Sequence, residues 1–288
     1  MCAVLVITAS KPNFLRVNAQ MHNLDKQKTR PACKTLGAIR QTDMTLRLIN
    51  PKYYLTKLTD IGRFIVKPIG QPTDNKTTID KVTDLLVILV ITLTFSLLAF
   101  YLNVYYIKPV PTTKLFDWQQ KLGPVYFFLF SVFLIPLVEE SSFRLPLKFS
   151  SLFLSISFAL FSYKFISNVF FDSPMYILNS YPISRISFAI IVAFLFYLFI
   201  SKEKISSRTE LFWSRHFRLI FYTFSIYFSF MHINNYVPSS YNILLIPIIT
   251  LPQLILGLTA GYMRINYGFI YAFGLHALYN SSPYWLPF

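Results

Sequence analysis

Apolar residues in this chain come in long unbroken runs rather than at helical or strand periods, and the runs begin after residue 83. The first is Leu85–Ile107, which ends in Tyr101, Tyr105 and Tyr106, an aromatic cluster of the kind found where a helix meets lipid headgroups. The pattern predicts further spans at Pro124–Val138, Phe149–Phe171, Ser184–Ile200, Leu219–Ile233 and Ile243–Tyr262, with a short one at Gly268–Asn280. The expected fold class is therefore all-α, a polytopic helical membrane protein of about seven transmembrane helices.

Residues 1–83 read differently. They are polar and basic, and Pro12, Pro31, Pro51, Pro68 and Pro72 interrupt any long helix. Residues 1–43 show little periodicity and are expected to be a disordered tail. The stretch around Tyr53–Val66 is amphipathic and is expected to lie at the membrane surface. The organisation predicted is a basic, partly disordered cytoplasmic segment (1–83) followed by a transmembrane domain (84–288). The opening apolar run, Ala3 to Ala9, is short and has no basic lead, so no cleaved signal peptide is expected.

Composition agrees. Of 288 residues 54% are hydrophobic and only 14% charged, against roughly 25% charged in soluble domains. The net charge of +15 would suit a nucleic-acid binder. The basic residues, however, lie mainly before the first span and in Ser201–Arg218, as the positive-inside rule distributes them. The bilayer is the partner implied, and nucleic acid is not. With the amino terminus cytoplasmic in a bacterial-type plasma membrane, Arg144/Lys148, Lys202–Arg218 and Arg264 fall inside and Asp172 outside. Cys2 and Cys33 offer neither a disulfide framework nor a cysteine metal site.

Against this apolar background a few polar groups stand out. The run Pro124–Val138 leads into Leu137-Val-Glu-Glu-Ser-Ser-Phe-Arg144, which holds two of the four glutamates. Each charge costs roughly 2.5–3.5 kcal/mol at mid-bilayer. Glu140 and Arg144 are four apart and share a helix face, whereas Glu139 lies about 100° round and lacks that partner. These charges either meet water at a helix end or serve a site. His232, four residues after Phe228, and His276, four before Asn280, lie in two other predicted spans. Alone, each histidine reads as a buried imidazole bonding a neighbouring helix. Polar groups on three spans favour convergence. By helical rise Glu139 lies roughly 7–10 Å, His276 about 12 Å and His232 about 20 Å from the cytoplasmic edge, so they could meet in the cytoplasmic half. Lys164, inside the third span, snorkels or faces the bundle.

In this order, Glu139-Glu140-x-x-x-Arg144, Phe228-x-x-x-His232 and His276-x-x-x-Asn280 resemble the three motifs of the CAAX protease and bacteriocin-processing (CPBP) intramembrane proteases. The run Gly257–Gly268 resembles the lead-in to the last motif. The resemblance covers about Pro124–Asn280, with the pair of spans in Phe149–Ile200 intervening between the first and second motifs. It implies peptide-bond hydrolysis in the membrane. Glu139 would activate water, His232 would help position it, and His276 and Asn280 would stabilise the oxyanion. Glu140, Arg144 and Phe228 would support the site. The substrates implied are membrane-associated peptides or proteins, including lipidated tails. The same groups suffice without metal, which is the reading adopted, although Glu139, His232 and His276 could hold Zn2+ with an open position. No Gly-x-Ser or paired intramembrane aspartates support serine or aspartyl alternatives. The rival reading is a non-catalytic membrane protein of the same fold: an immunity factor, scaffold or transporter accessory.

Overall fold

The first long helix, α1 (Pro51–Val66), starts where the sequence supplies a cap and a stiff first turn. Asn50 Oδ1 accepts the Lys52 N–H (3.0 Å) and Pro51 fills the first turn. This computed structural model describes residues 44–72, 76–107, 113–171, 181–237 and 241–284, all helical or irregular, with no strand among them. Residues 1–49 and 50–288 form separate units. In the first, residues 44–49 are a helix, and the tail expected over 1–43 lies outside the described residues.

The second unit begins 34 residues before the predicted boundary at 84, because α1 docks through a buried charge cluster. The next helix, α2 (Thr78–Tyr106), opens with a capping box. Asp80 N–H bonds the Thr77 hydroxyl, and the Asp80 carboxylate accepts the Thr77 N–H, each at 3.3 Å. One turn on, Asp84 is wholly buried and accepts from Tyr53 Oη (2.6 Å), Lys76 Nζ (2.8 Å) and Tyr267 Oη (2.8 Å). Lys57 Nζ donates to Asp84 Oδ2 (3.1 Å) and lies 3.0 Å from Oδ1. Burial pushes the Lys57 ammonium below its ordinary pKa, and the Asp84 charge opposes that shift. Asp84, placed by its sequence at a span edge, is the post to which α1 is tied.

There follow α3 (Leu115–Leu122), α4 (Pro124–Leu129), a π-helical turn (Phe130–Leu134) and α5 (Ile135–Phe143). Then come α6 (Ser151–Phe170), α7 (Pro182–Ile200), α8 (Glu203–Arg215) and α9 (Phe217–Met231). The chain closes with α10 (Ile246–Ile249), α11 (Leu251–Asn266) and α12 (Phe269–Ser281). Among the described residues four helices are long and apolar enough to cross a membrane: Thr78–Tyr106, Pro124–Leu147, Ser151–Phe170 and Pro182–Ile200. A fifth span results if Ile243–Ile249 and Leu251–Asn266, bent by 46°, count as one. Pro252, with no N–H to give, sits at that break.

This is fewer than the seven expected. Helices α9 and α12 have 15 and 13 residues, about 22 and 20 Å of rise against a core of about 30 Å. Apolar runs do not mark helix ends, and α9 stops at Met231, where a 3-10 turn (His232–Asn235) takes over. The apolar surface left outside is large. On α7 alone Phe188, Ile190, Ile191, Phe194, Leu195 and Phe199 are exposed, which suits lipid and not water.

Helix α11 packs against α2, α9 and α12. Its glycines make room chiefly for side chains, with the Ser225 carbonyl of α9 also close to Gly257. A Cβ on Gly261 would sit 2.6 Å from the buried Phe221 ring, and one on Gly257 would crowd Phe228 and Arg144 at 3.1 and 3.2 Å. Gly268, at φ +106°, makes the reversal from α11 into α12, which other residues adopt only under strain. Two outcomes are expected from this packing. Asp84→Asn strands buried Lys57 and should cost roughly 3–5 kcal/mol, read as a large loss of Tm in detergent, with Asp84→Asn/Lys57→Met recovering part. An unchanged Tm in the single variant would remove the cluster from the account. Gly261→Ala overpacks Phe221 and should cost about 1–3 kcal/mol in the same melt.

Candidate functional site

Pro136 shapes the approach to the two glutamates. In the π turn the N–H of Ile135 reaches back five residues to Phe130 O. In that register the next carbonyl, Ser131 O, would be met by residue 136, which is proline and has no donor. Asn280 Nδ2 on α12 fills the gap, donating to Ser131 O at 2.9 Å. The amide that the resemblance assigned to an oxyanion is thus engaged with a backbone carbonyl, eight residues before Glu139.

After the turn, α5 carries Glu139 and Glu140 towards its end. Glu140 and Arg144 are buried, with 0% and 1% of their surface exposed. Their Oε2 and Nε lie 3.8 Å apart, close enough for charge neutralisation and too far for a hydrogen bond. Arg144 Nη2 donates to Gly257 O (3.2 Å), and the guanidinium lies 4.2 Å from the Phe228 ring centre. From α11 Arg264 donates through Nε to Arg144 O (2.9 Å) and through Nη2 to Leu145 O (3.1 Å). Both carbonyls lie just past the C-terminus of α5, where Arg144 O also accepts the Leu147 N–H (3.2 Å). Arg144, expected from sequence to pair with Glu140 and support the site, and Arg264, read as a cytoplasmic loop charge, are buried anchors of the glutamate helix. Arg264 was the residue sequence reasoning missed; its placement in a run of small residues was the available signal.

Both histidines come to Glu139. His276 Nε2 is 3.6 Å and His232 Nε2 3.8 Å from Glu139 Oε2. The far nitrogen of each ring is held: His276 Nδ1 bonds Glu140 Oε1 (2.9 Å) and His232 Nδ1 bonds Phe228 O (2.8 Å). A carboxylate and a carbonyl only accept, so both Nδ1 atoms carry a proton, and in the neutral rings both Nε2 lone pairs face Glu139. Three acceptors therefore converge, and Glu139 Oε2 is buried with no hydrogen bond to a protein group. The Phe228 ring forms the floor, edge-on to both imidazoles. The cluster is closed on the His276 side (1% of the side chain exposed) and more open at Glu139 and His232 (15% and 14%).

Of the predicted site residues, then, Glu139, His232 and His276 meet directly. Glu140, Arg144 and Phe228 line and brace them, and Asn280 secures the neighbouring π turn. Glu140 does more than the supporting role expected, since it fixes the tautomer of His276. Lys164 faces the bundle, with Nζ 3.5 Å from Met231 Sδ. Imidazole and carboxylate donors are zinc chemistry. As arranged, no group of three or more His, Cys, Asp or Glu among the described residues is set to hold an ion.

Compared with known proteins, the chain matches no family model, no curated protein and no solved structure.

The Pro136–Asn280 relation can be tested by compensation. Asn280→Ala leaves Ser131 O unpaired and should cost about 1–3 kcal/mol. Pro136→Ala restores a backbone donor, so Asn280→Ala/Pro136→Ala should recover most of that loss in a double-mutant cycle by thermal melting. Simple additivity of the two substitutions would show that Asn280 does not stand in for the missing N–H.

Proposed function

We propose that the chain is an intramembrane endopeptidase of the kind its three motifs resemble, acting on membrane-associated peptides. One observation carries the reading: a buried carboxylate oxygen without a hydrogen-bond donor faces two imidazole lone pairs whose other nitrogens are tied down. That is a receptacle for a molecule with two O–H donors, and water is the smallest. A residue kept only for packing has no use for three converging acceptors, since each costs desolvation without return.

In this mechanism a water donates one O–H to Glu139 Oε2 and the other to a histidine Nε2. As its oxygen attacks the substrate carbonyl carbon, Glu139 takes the first proton and the carbonyl oxygen becomes the oxyanion of a tetrahedral intermediate. His276, drawing onto its Nε2 the proton now on Glu139, becomes a donor to that oxyanion and returns the proton to Glu139 as the intermediate collapses, while the Glu140 carboxylate stabilises the imidazolium through Nδ1–H. The intermediate collapses, the C–N bond breaks, and the departing nitrogen takes the proton from Glu139. The products are a carboxyl and an amine. The site lies in the cytoplasmic half, with seven membrane-embedded helices, the two shorter ones included, and the amino terminus cytoplasmic.

Reconstituted cleavage of a peptide library tests this. Glu139→Gln preserves shape and removes the base, so turnover should fall by about 10²–10⁴. Glu140→Gln, which weakens the hold on the imidazolium, should shift the pH–rate profile as well as lower turnover. A chelator should leave the wild-type rate unchanged; loss restored by added zinc would mean that the three donors rearrange around an ion. Wild-type protein that cleaves nothing, with Glu139→Gln behaving identically, would favour the scaffold or immunity-factor reading.

A further inference from the structure

One cation in the membrane part of the chain holds no oxygen among the described residues. On α6 the residues Ser157, Phe161 and Lys164 form a stripe three and four residues apart. Ser157 Oγ donates to Ser142 O on the glutamate helix at 2.6 Å. Phe161 meets Phe143 edge-on, with ring centres 5.1 Å apart, and lies against Tyr227 of α9. The next position on the stripe is Lys164, so its side chain is directed into the crevice between α6, α5 and α9. There its half-buried ammonium touches only Met231 Sδ, a thioether and a weak acceptor, among the described residues. Its charge is felt at both Glu139 and His232.

Two buried arginines of the neighbouring helices, by contrast, are answered by oxygen. Arg144 has Glu140 and Gly257 O, and Arg264 has two helix-end carbonyls. An ammonium beside a candidate hydrolytic site, directed inward and holding only sulfur, retains strong donors for an incoming acceptor. A lysine placed merely to escape lipid would extend to the interface and water. Met231 is the residue immediately before His232, so whatever the ammonium holds lies against the lip of the acceptor cluster.

The geometry points to Lys164 as a specificity-determining residue that binds a carboxylate of the substrate, next to the bond to be cut. The cutting rests on the endopeptidase reading, whereas the binding stands without it. The carboxylate comes from the end of a peptide chain or from an acidic side chain; the chemistry at Lys164 is the same for both. Charge-assisted contact in a poorly hydrated crevice gives a preference of roughly 10–100-fold over the amide.

The test uses the full chain in detergent and a set of amidated peptides. In each, the single carboxylate is placed at the chain terminus, at one interior position in turn, or nowhere. Cleavage by wild-type protein and binding to Glu139→Gln protein are both measured. The expected result is a carboxylate preference of that size, which collapses to about one in Lys164→Met and is partly kept in Lys164→Arg. The terminal and interior arms identify the source. Lys164-dependent binding without any cleavage would uphold the anion site and overturn the hydrolytic reading. No carboxylate preference, a preference that survives Lys164→Met, or an equal loss for every peptide would overturn the proposal. The last outcome would make Lys164 a distant counter-charge to Glu139.

Discussion

Arg144 has nowhere to put its charge except the inside of the protein, and the packing around it is a consequence. A guanidinium with 1% of its surface exposed needs a counter-charge, acceptors and a polarisable surface. Glu140 supplies the first at 3.8 Å, Gly257 O an acceptor at 3.2 Å, and the Phe228 ring the surface at 4.2 Å. Each in turn fixes something else. Glu140 spends its second oxygen on His276, Gly257 must lack a side chain to let the guanidinium through, and Phe228 offers its carbonyl to His232. The two histidines are thereby oriented by the groups that neutralise Arg144. Glu139, which belongs to none of these contacts, is left facing them. Structural and chemical carboxylates thus sit side by side on one helix.

Backbone irregularity marks the same region. The π turn at Phe130–Leu134 and Pro136 leave a half-buried carbonyl without an N–H from its own helix. A side-chain amide from α12 answers it, and that single hydrogen bond ties the helix carrying His276 to the helix carrying Glu139. Arg264 does the same for the other end of α5. Between them the glutamate helix is held at both ends by groups from the last two helices, which is the kind of rigid support that a preorganised site requires.

The amino-terminal helix α1 belongs to the same unit for a similar reason. It is amphipathic, as its sequence indicates, but its buried face carries Lys57 beside Ile61 and Phe64. The lysine is tolerated because Asp84 is buried beneath it, and Asp84 is tolerated because Lys57, Lys76, Tyr53 and Tyr267 all donate to it. Tyr267 sits at the turn between α11 and α12, so the cluster links the first described helix of the unit to the last two.

The helical class, the membrane character and the three polar patterns were legible in the sequence, because long apolar runs and four-residue spacings are local properties. Glu139, His232 and His276 could be nominated from residue type alone, since ionisable groups in apolar runs are rare and costly. What the sequence could not carry was depth and partnership. The four-residue spacing of Glu140 and Arg144 suggested a pair, but not the Gly257 carbonyl and Phe228 ring that complete it. Arg264 read as a loop charge, and only the packed helices reveal that it caps a helix. Asn280 followed His276 at a spacing that suggested a shared task, yet its partner is set by an unpaired carbonyl 149 residues away. Span number was legible only coarsely, because an apolar run continues past the residue where a helix ends; four or five helices among the described residues are long and apolar enough to cross a membrane. The sequence by itself determined which groups would be expensive to bury; tertiary structure decided which neighbour offsets each cost, because those neighbours come from helices far apart in the chain.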